Sequence, residues 1–174
     1  MRTELNSLIF LVDDDEMLCA AVERWLCKDG YDVTCLGSGD ECLKALAEDV
    51  PEAICLDMNM PGLSGIETLG RIRERYPALP VVVLTADETA ATAVSAMKLG
   101  AHDYLTKPLE ATKLLTTLKN AIAHGQLSMR VSQLEREAEG RGYPGIAGNS
   151  NAMKVVFRQL DRLAVSDVSV LIQG

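Results

Sequence analysis

A small set of side chains in this sequence could do chemistry together: Asp13, Asp14 and Asp15 in one run, then Asp57, Thr85 and Lys107. Two or three crowded carboxylates cannot all stay ionised without a cation beside them. Hard oxygen donors with open positions suit Mg²⁺, which keeps several waters and is often completed by phosphate oxygens. A carboxylate next to such an ion can attack a phosphoryl group, because the metal and a lysine neutralise charge on the equatorial oxygens. A threonine hydroxyl can then hydrogen-bond the transferred group. Taken together the set describes an aspartyl-phosphate site with Mg²⁺ as its cofactor. Taken singly, each piece has an ordinary explanation. Asp13 to Glu16 can cap a helix, Asp57 precedes a turn signal at Asn59, Pro61 and Gly62, and Lys107 before Pro108 can be a surface lysine.

The joint reading needs elements that carry these residues to one place. Leu8 to Asp13 is apolar on both faces and then abruptly acidic, which suits a central parallel strand ending at its carboxyl edge. Four more short β-prone segments follow, at Tyr31 to Leu36, Glu52 to Asp57, Pro80 to Thr85 and His102 to Thr106. Between them the spacing is helical over Glu16 to Asp29, Asp40 to Asp49, Ser64 to Tyr76 and Thr89 to Leu99. Gly30 and Gly100 stand where helices should stop, and Pro77 and Pro80 precede the fourth strand. Strands alternating with helices predict an α/β fold, a doubly wound five-stranded parallel sheet with right-handed crossovers. Ligands of such sheets sit beyond the carboxyl ends of the strands, and strand order 2-1-3-4-5 brings all the named groups to one edge.

From Glu110 the pattern is helical again, with Leu114, Leu115, Leu118 and Ile122 on a face that can cover the sheet. A second stripe, Leu127, Val131, Leu134 and Ala138, is rotated away from the first, and a partner helix is its natural occupant. A solvated linker is the alternative, and Gly125 between the stripes is a candidate helix break. The run from Gly140 to Ser150 is rich in Gly and Pro and reads as a connection. Met153, Val156, Phe157, Leu160 and Leu163 then repeat at helical spacing before the apolar segment VSVLI. One helix and one strand cannot bury a core, so this end is expected to be a fragment of a second domain.

Composition limits the partners. With 17 Lys plus Arg against 25 Asp plus Glu the net charge is −8, which disfavours nucleic-acid binding by bulk charge. No apolar run approaches the roughly 18 residues needed to span a bilayer, and the start MRTELNS lacks a signal peptide's apolar stretch, so a cytoplasmic protein without membrane contact is expected. The 5 cysteines, Cys19, Cys27, Cys35, Cys42 and Cys55, form no CxxC pair and are expected to be reduced, mostly packing thiols. His102 and His124 sit in no ligand spacing and are expected to be structural or exposed.

VDDDE at Val12 to Glu16, ICLDMNMPGLSG around Asp57, VLTA ending in Thr85 and Ala86, and YLTKP from Tyr104 to Pro108 jointly resemble the receiver domain of bacterial two-component response regulators, over about the first 120 residues. The resemblance implies a flavodoxin-like sheet and phosphoryl transfer to Asp57 from a sensor histidine kinase. It implies that Asp13, Asp14, Asp57 and the backbone carbonyl of Asn59 hold Mg²⁺, that Lys107 pairs with the phosphoryl group, and that the Lys107–Pro108 bond is cis. Thr85 and Tyr104 resemble the family's switch pair, in which the hydroxyl moves toward the phosphate and the ring turns inward. A static, half-buried Tyr104 is the other reading. Asn59 and Asp87 stand where the family influences hydrolysis of the acyl phosphate.

The segment AGNSNAMKVVFRQLDRLAVSDVSVLIQG resembles the start of the AAA+ domain of sigma-54-dependent activators of the nitrogen-regulatory type, with Gly174 as first glycine of a Walker A loop. The rest of that loop and any helix-turn-helix are absent here, so neither ATPase activity nor DNA reading is expected of this chain. The implied domains are a phosphoacceptor receiver at 1–124, a helical linker and candidate coiled coil at 125–142, and a truncated AAA+ start at 143–174. Contacts with sigma-54 RNA polymerase and DNA would come only through missing parts, while a homodimer through receiver and linker is expected. The alternatives are a free-standing receiver acting by protein contact and a metal-dependent aspartyl-phosphate phosphatase. The phosphatase normally uses a second acid two residues past the nucleophile, where this chain has Asn59. A flavin module of the same topology fits less well, because an acidic first loop would repel the FMN phosphate.

Overall fold

The computed structural model describes residues 7–86 and 90–139 together with Ser150 and Met153. Asp87, the side chains of Leu134 and Ala138, and nearly all of 143–174 lie outside the described residues. The chain divides into two compact units, Met1–Ser128 and Met129–Gly174.

In the first unit the order is β1 (Leu8–Val12), α1 (Glu16–Lys28), β2 (Asp32–Leu36), α2 (Gly39–Glu48), β3 (Ala53–Asp57), α3 (Gly65–Arg75), β4 (Val81–Thr85), α4 (Ala90–Lys98) and β5 (Asp103–Thr106), followed by α5 (Ala111–Glu139). The strands are all parallel, in the order β2-β1-β3-β4-β5. Strand alternation sorts the apolar residues into two layers. Phe10, Val12, Ile54, Leu56, Val81 and Val83 pack with Cys42 and Leu46 of α2, Leu69 and Ile72 of α3 and Ala96 of α4. On the other face Ile9, Leu11, Cys55, Val82, Leu84 and Leu105 meet Val22 and Leu26 of α1 and Leu114, Leu118 and Ile122 of α5. Because β3 and β4 are buried along their whole length, they read as continuous apolar runs.

The stop signals work as chain chemistry predicts. Gly30 and Gly100 have φ of +91°, and the amides of Tyr31 and Ala101 reach back to the carbonyls of Leu26 and Ala96 at 3.1 and 3.0 Å. Gly125 does not break α5, which runs through it. An added Cβ there would lie 2.5 Å from Pro80 Cγ, so this glycine serves a close approach of helix to loop. The first stripe is covered as expected, while Leu127 and Val131 of the second are 66% and 53% exposed. Among the described residues no helix is long and apolar enough to cross a membrane.

Candidate functional site

Four of the five strand ends deliver a group to the carboxyl edge. Asp13 is the first residue past β1 and is anchored by its amide on the Leu36 carbonyl at 3.0 Å. Asp57 closes β3 and Thr85 closes β4. Lys107 follows β5, its amide donating to the Thr85 carbonyl at 2.8 Å, and the Lys107–Pro108 peptide is cis. Asp13, Asp57 and Thr85 are buried, with Asp13 and Asp57 each only 2% exposed, whereas Asp14 faces solvent.

The acidic run divides its labour. Asp15 is the N-cap of α1, its Oδ1 accepting from the amides of Met17 and Leu18 at 2.9 and 3.1 Å. Helix capping therefore accounts for Asp15 and leaves Asp13 and Asp14 for other work. Asp13 Oδ1 accepts from the Asp15 amide at 3.0 Å, which orients the carboxylate toward the edge.

Lys107 Nζ lies 2.7 Å from Asp13 Oδ2 and 3.2 Å from Asp57 Oδ1. Both oxygens are buried and share the one ammonium, so neither carboxylate has its full set of partners among the described residues. Burial pushes the Asp57 carboxyl above the usual range; the Lys107 charge pulls it back, Asp13 pushes it up again, and the Asn59 backbone amide donates to it. At Lys107 burial opposes the ammonium, yet its bonds and charge pairing with Asp13 and Asp57 win, and its pKa is raised.

Asp13, Asp14 and Asp57 each offer a carboxylate oxygen, all within 4.8 Å of one another. One ammonium cannot balance three carboxylates. Two buried, under-bonded oxygens beside an exposed one form an all-oxygen, open set that fits Mg²⁺ better than a soft metal. An adjoining cleft of about 480 Å³, with Glu16, Glu23 and Glu41 on its walls, adds to the negative potential.

Thr85 lies at the edge and Tyr104 one strand away, opposite Val83 in register. Tyr104 is 41% exposed, whereas Thr85 is buried. Two contributors escaped sequence reading. A Cβ on Gly65 would run into the Asp57 carbonyl and Met58 Cα, so only glycine lets α3 start directly against the loop after Asp57. The capping box between Ser64 and Glu67 fixes that start, with the Ser64 amide donating to Glu67 Oε2 at 3.1 Å and the Glu67 amide to Ser64 Oγ at 3.3 Å. The motif S-G-I-E was its visible signal.

A doubly wound 2-1-3-4-5 sheet with two buried aspartates, a threonine and a lysine on its carboxyl edge defines a receiver-type module. The family model described as the response regulator receiver domain matches residues 9–119, and the chain belongs to that family. It is 38% identical over 170 residues to the DNA-binding transcriptional regulator NtrC of Salmonella typhimurium, covering 97% of this chain and 35% of that protein. It is 32% identical over 167 residues to the luminescence regulatory protein LuxO of Vibrio campbellii, covering 94% and 36%. The chain thus spans about a third of the length of these relatives. Among solved structures, NtrX from Brucella abortus superposes with TM-score 0.70 at 30% identity over 92% of this chain and 35% of that one. A CheY-like receiver protein from Methanospirillum hungatei, at 22% identity, matches in fold with TM-score 0.68 over 71% of this chain and 99% of that one.

Proposed function

We propose that this chain is a phosphorylation-switched regulatory module that accepts a phosphoryl group on Asp57 from a sensor histidine kinase. The observation that carries the reading is the pair of buried, under-bonded carboxylate oxygens of Asp13 and Asp57 facing the single Lys107 ammonium. In the transfer, an Asp57 oxygen forms a bond to phosphorus while the bond from phosphorus to the donor imidazole breaks. Lys107 moves from countering the carboxylates to countering the phosphoryl oxygens, and Thr85 donates its hydroxyl to one of them. Asp13, Asp14, Asp57 and the Asn59 carbonyl would hold Mg²⁺, whose charge lets an anionic nucleophile and an anionic phosphoryl group approach. Hydrolysis returns the Asp57 carboxylate, so the chain catalyses only its own labelling and unlabelling.

The exposed Tyr104 beside the buried Thr85 suits an unphosphorylated resting state; movement of the hydroxyl toward phosphate would leave space for the ring to turn inward. Likeness to NtrC and LuxO supports a place at the front of a sigma-54-dependent activator, with 1–124 as receiver, 125–142 as linker and 143–174 as the start of an AAA+ domain. In such a protein, contacts with sigma-54 RNA polymerase and DNA belong to other segments. The stripe from Leu127 through Val131 to Leu134 and Ala138 is proposed to pair with a second copy, burying the exposed Leu127 and Val131. A cytoplasmic location follows from a kinase donor and a transcriptional output.

Incubation with acetyl phosphate and Mg²⁺ tests the central step. The intact mass should rise by one phosphoryl group, and the gain should vanish in Asp57→Asn or when Mg²⁺ is chelated. Equal labelling of Asp57→Asn would remove the assignment.

A further inference from the structure

We propose that His102 and His124 form a two-imidazole chelate for a borderline transition-metal ion such as Zn²⁺, at the amino edge of the sheet and distinct from the carboxylate site. The two rings, 22 residues apart in sequence, have centroids separated by 5.2 Å and planes inclined at 51°. With metal–nitrogen distances of about 2.0–2.1 Å and a tetrahedral angle, two imidazoles on one ion place their ring centres about 5 Å apart. The pair already stands at that separation, and water can supply the remaining ligands on the exposed His124 side.

Both residues are held by rigid elements. The His102 amide donates to the Val81 carbonyl at 2.8 Å, which fixes it at the mouth of β5. His124 precedes Gly125, whose close contact with Pro80 sets the height of α5 against the sheet. His124 stands on a helix and His102 directly before β5, tied to β4 by its amide, which limits the movement of both rings. Imidazole nitrogen selects Zn²⁺, Ni²⁺ or Cu²⁺, whereas the all-oxygen set at the other edge selects Mg²⁺.

The local charges permit a cation. Burial lowers the pKa of His102, with His124 and Arg73 adding to the effect and Asp103 opposing it, which favours the neutral ring that ligates metal. Arg73 is the nearby positive group, but its Nη1 is committed to the carbonyls of Tyr76, Pro77 and Leu79 at 3.3, 3.1 and 2.6 Å. Those carbonyls, beyond the negative end of α3, share its charge. Bound metal would staple the start of β5 to α5.

The test adds Zn²⁺ to the full chain in excess Mg²⁺, which occupies the carboxylate edge, and follows histidine-ring and cysteine resonances by NMR at pH 7. The His102 and His124 ring signals should shift together and saturate at one Zn²⁺ per chain. Losing even an outer partner of a ligand typically costs 10–100-fold in metal affinity, so His124→Gln and His102→Gln should each weaken binding by at least about tenfold. His124 is exposed, and an unchanged metal-free melting curve for its variant separates loss of a ligand from loss of fold. Responses confined to Cys27 and Cys35 or to the surroundings of Asp57, or binding unchanged in both variants, would overturn the proposal. Because the readout is metal-induced ring shifts, it stands or falls independently of phosphorylation at Asp57.

Discussion

The two edges of this sheet are made by the same strands, and they differ in how their polar atoms are paired. At the amino edge one Arg73 nitrogen ties three carbonyls of the loop before β4, and Gly125 lets α5 close against Pro80. At the carboxyl edge Asp13 and Asp57 each hold a buried oxygen facing a lysine shared between them. Buried carboxylates normally fill their acceptor sites, and two that share one ammonium keep acceptor capacity to spare. An edge that retains two such carboxylates is arranged for something that arrives. The contrast locates function where pairing is incomplete and stability where it is nearly complete, Arg73 Nε being the exception at the amino edge.

The sharpest way to break that contrast is Lys107→Ala. Removing the ammonium should slow labelling by acetyl phosphate about 10²–10³-fold, the usual loss for one preorganised charge-stabilising donor. Mg²⁺ binding should persist, since Lys107 meets carboxylates and phosphoryl rather than the metal; Asp14→Ala should weaken the metal first. Titration with Mg²⁺ followed by Trp25 fluorescence separates the two variants, and equal loss of metal in both would refute the division of roles.

Filling the carboxyl edge should also stabilise the fold. Mg²⁺ at a hundred times its Kd should add about 2.7 kcal/mol by mass action, read as a rise in melting temperature that shrinks in Asp14→Ala. At the amino edge, Gly125→Ala should cost about 1–3 kcal/mol, because the new methyl must displace Pro80 or α5. Its labelling rate should remain unchanged, and a slowed rate would show that the edges are coupled. The smallest effect concerns the interior between them. Burial pushes the thiols of Cys42 and Cys55 up to about 12, while Cys27 is exposed, so alkylation at pH 8 should modify Cys27 first and spare Cys42 and Cys55 until unfolding.

Strand order, the two-faced core and the convergence of Asp13, Asp57, Thr85 and Lys107 were legible because they rest on period, chain punctuation and strand ends. The register within Asp13, Asp14 and Asp15 was not, because any of the three can cap a helix; only the two amides on Asp15 Oδ1 decide it. Gly125 was misread as a break because in one dimension a glycine lowers helix propensity, whereas its reason is a proline from another loop pressed against it. Gly65 escaped notice for the same cause, since the backbone it must clear belongs to Asp57 and Met58. His102 and His124 were set aside because ligand spacing is sought along the chain, and these rings meet only in space, where the turn before β5 reaches α5.

Chemical trapping tests the carboxyl edge most directly. An acyl phosphate is an activated carboxyl that borohydride reduces to an alcohol, while ordinary carboxylates resist it. After incubation with acetyl phosphate and Mg²⁺, reduction and peptide mapping should convert Asp57 alone to homoserine, and omission of Mg²⁺ should abolish the product. Homoserine at Asp13 or Asp14, or none anywhere in a chain whose intact mass shows phosphorylation, would contradict the assignment of Asp57 as the acceptor.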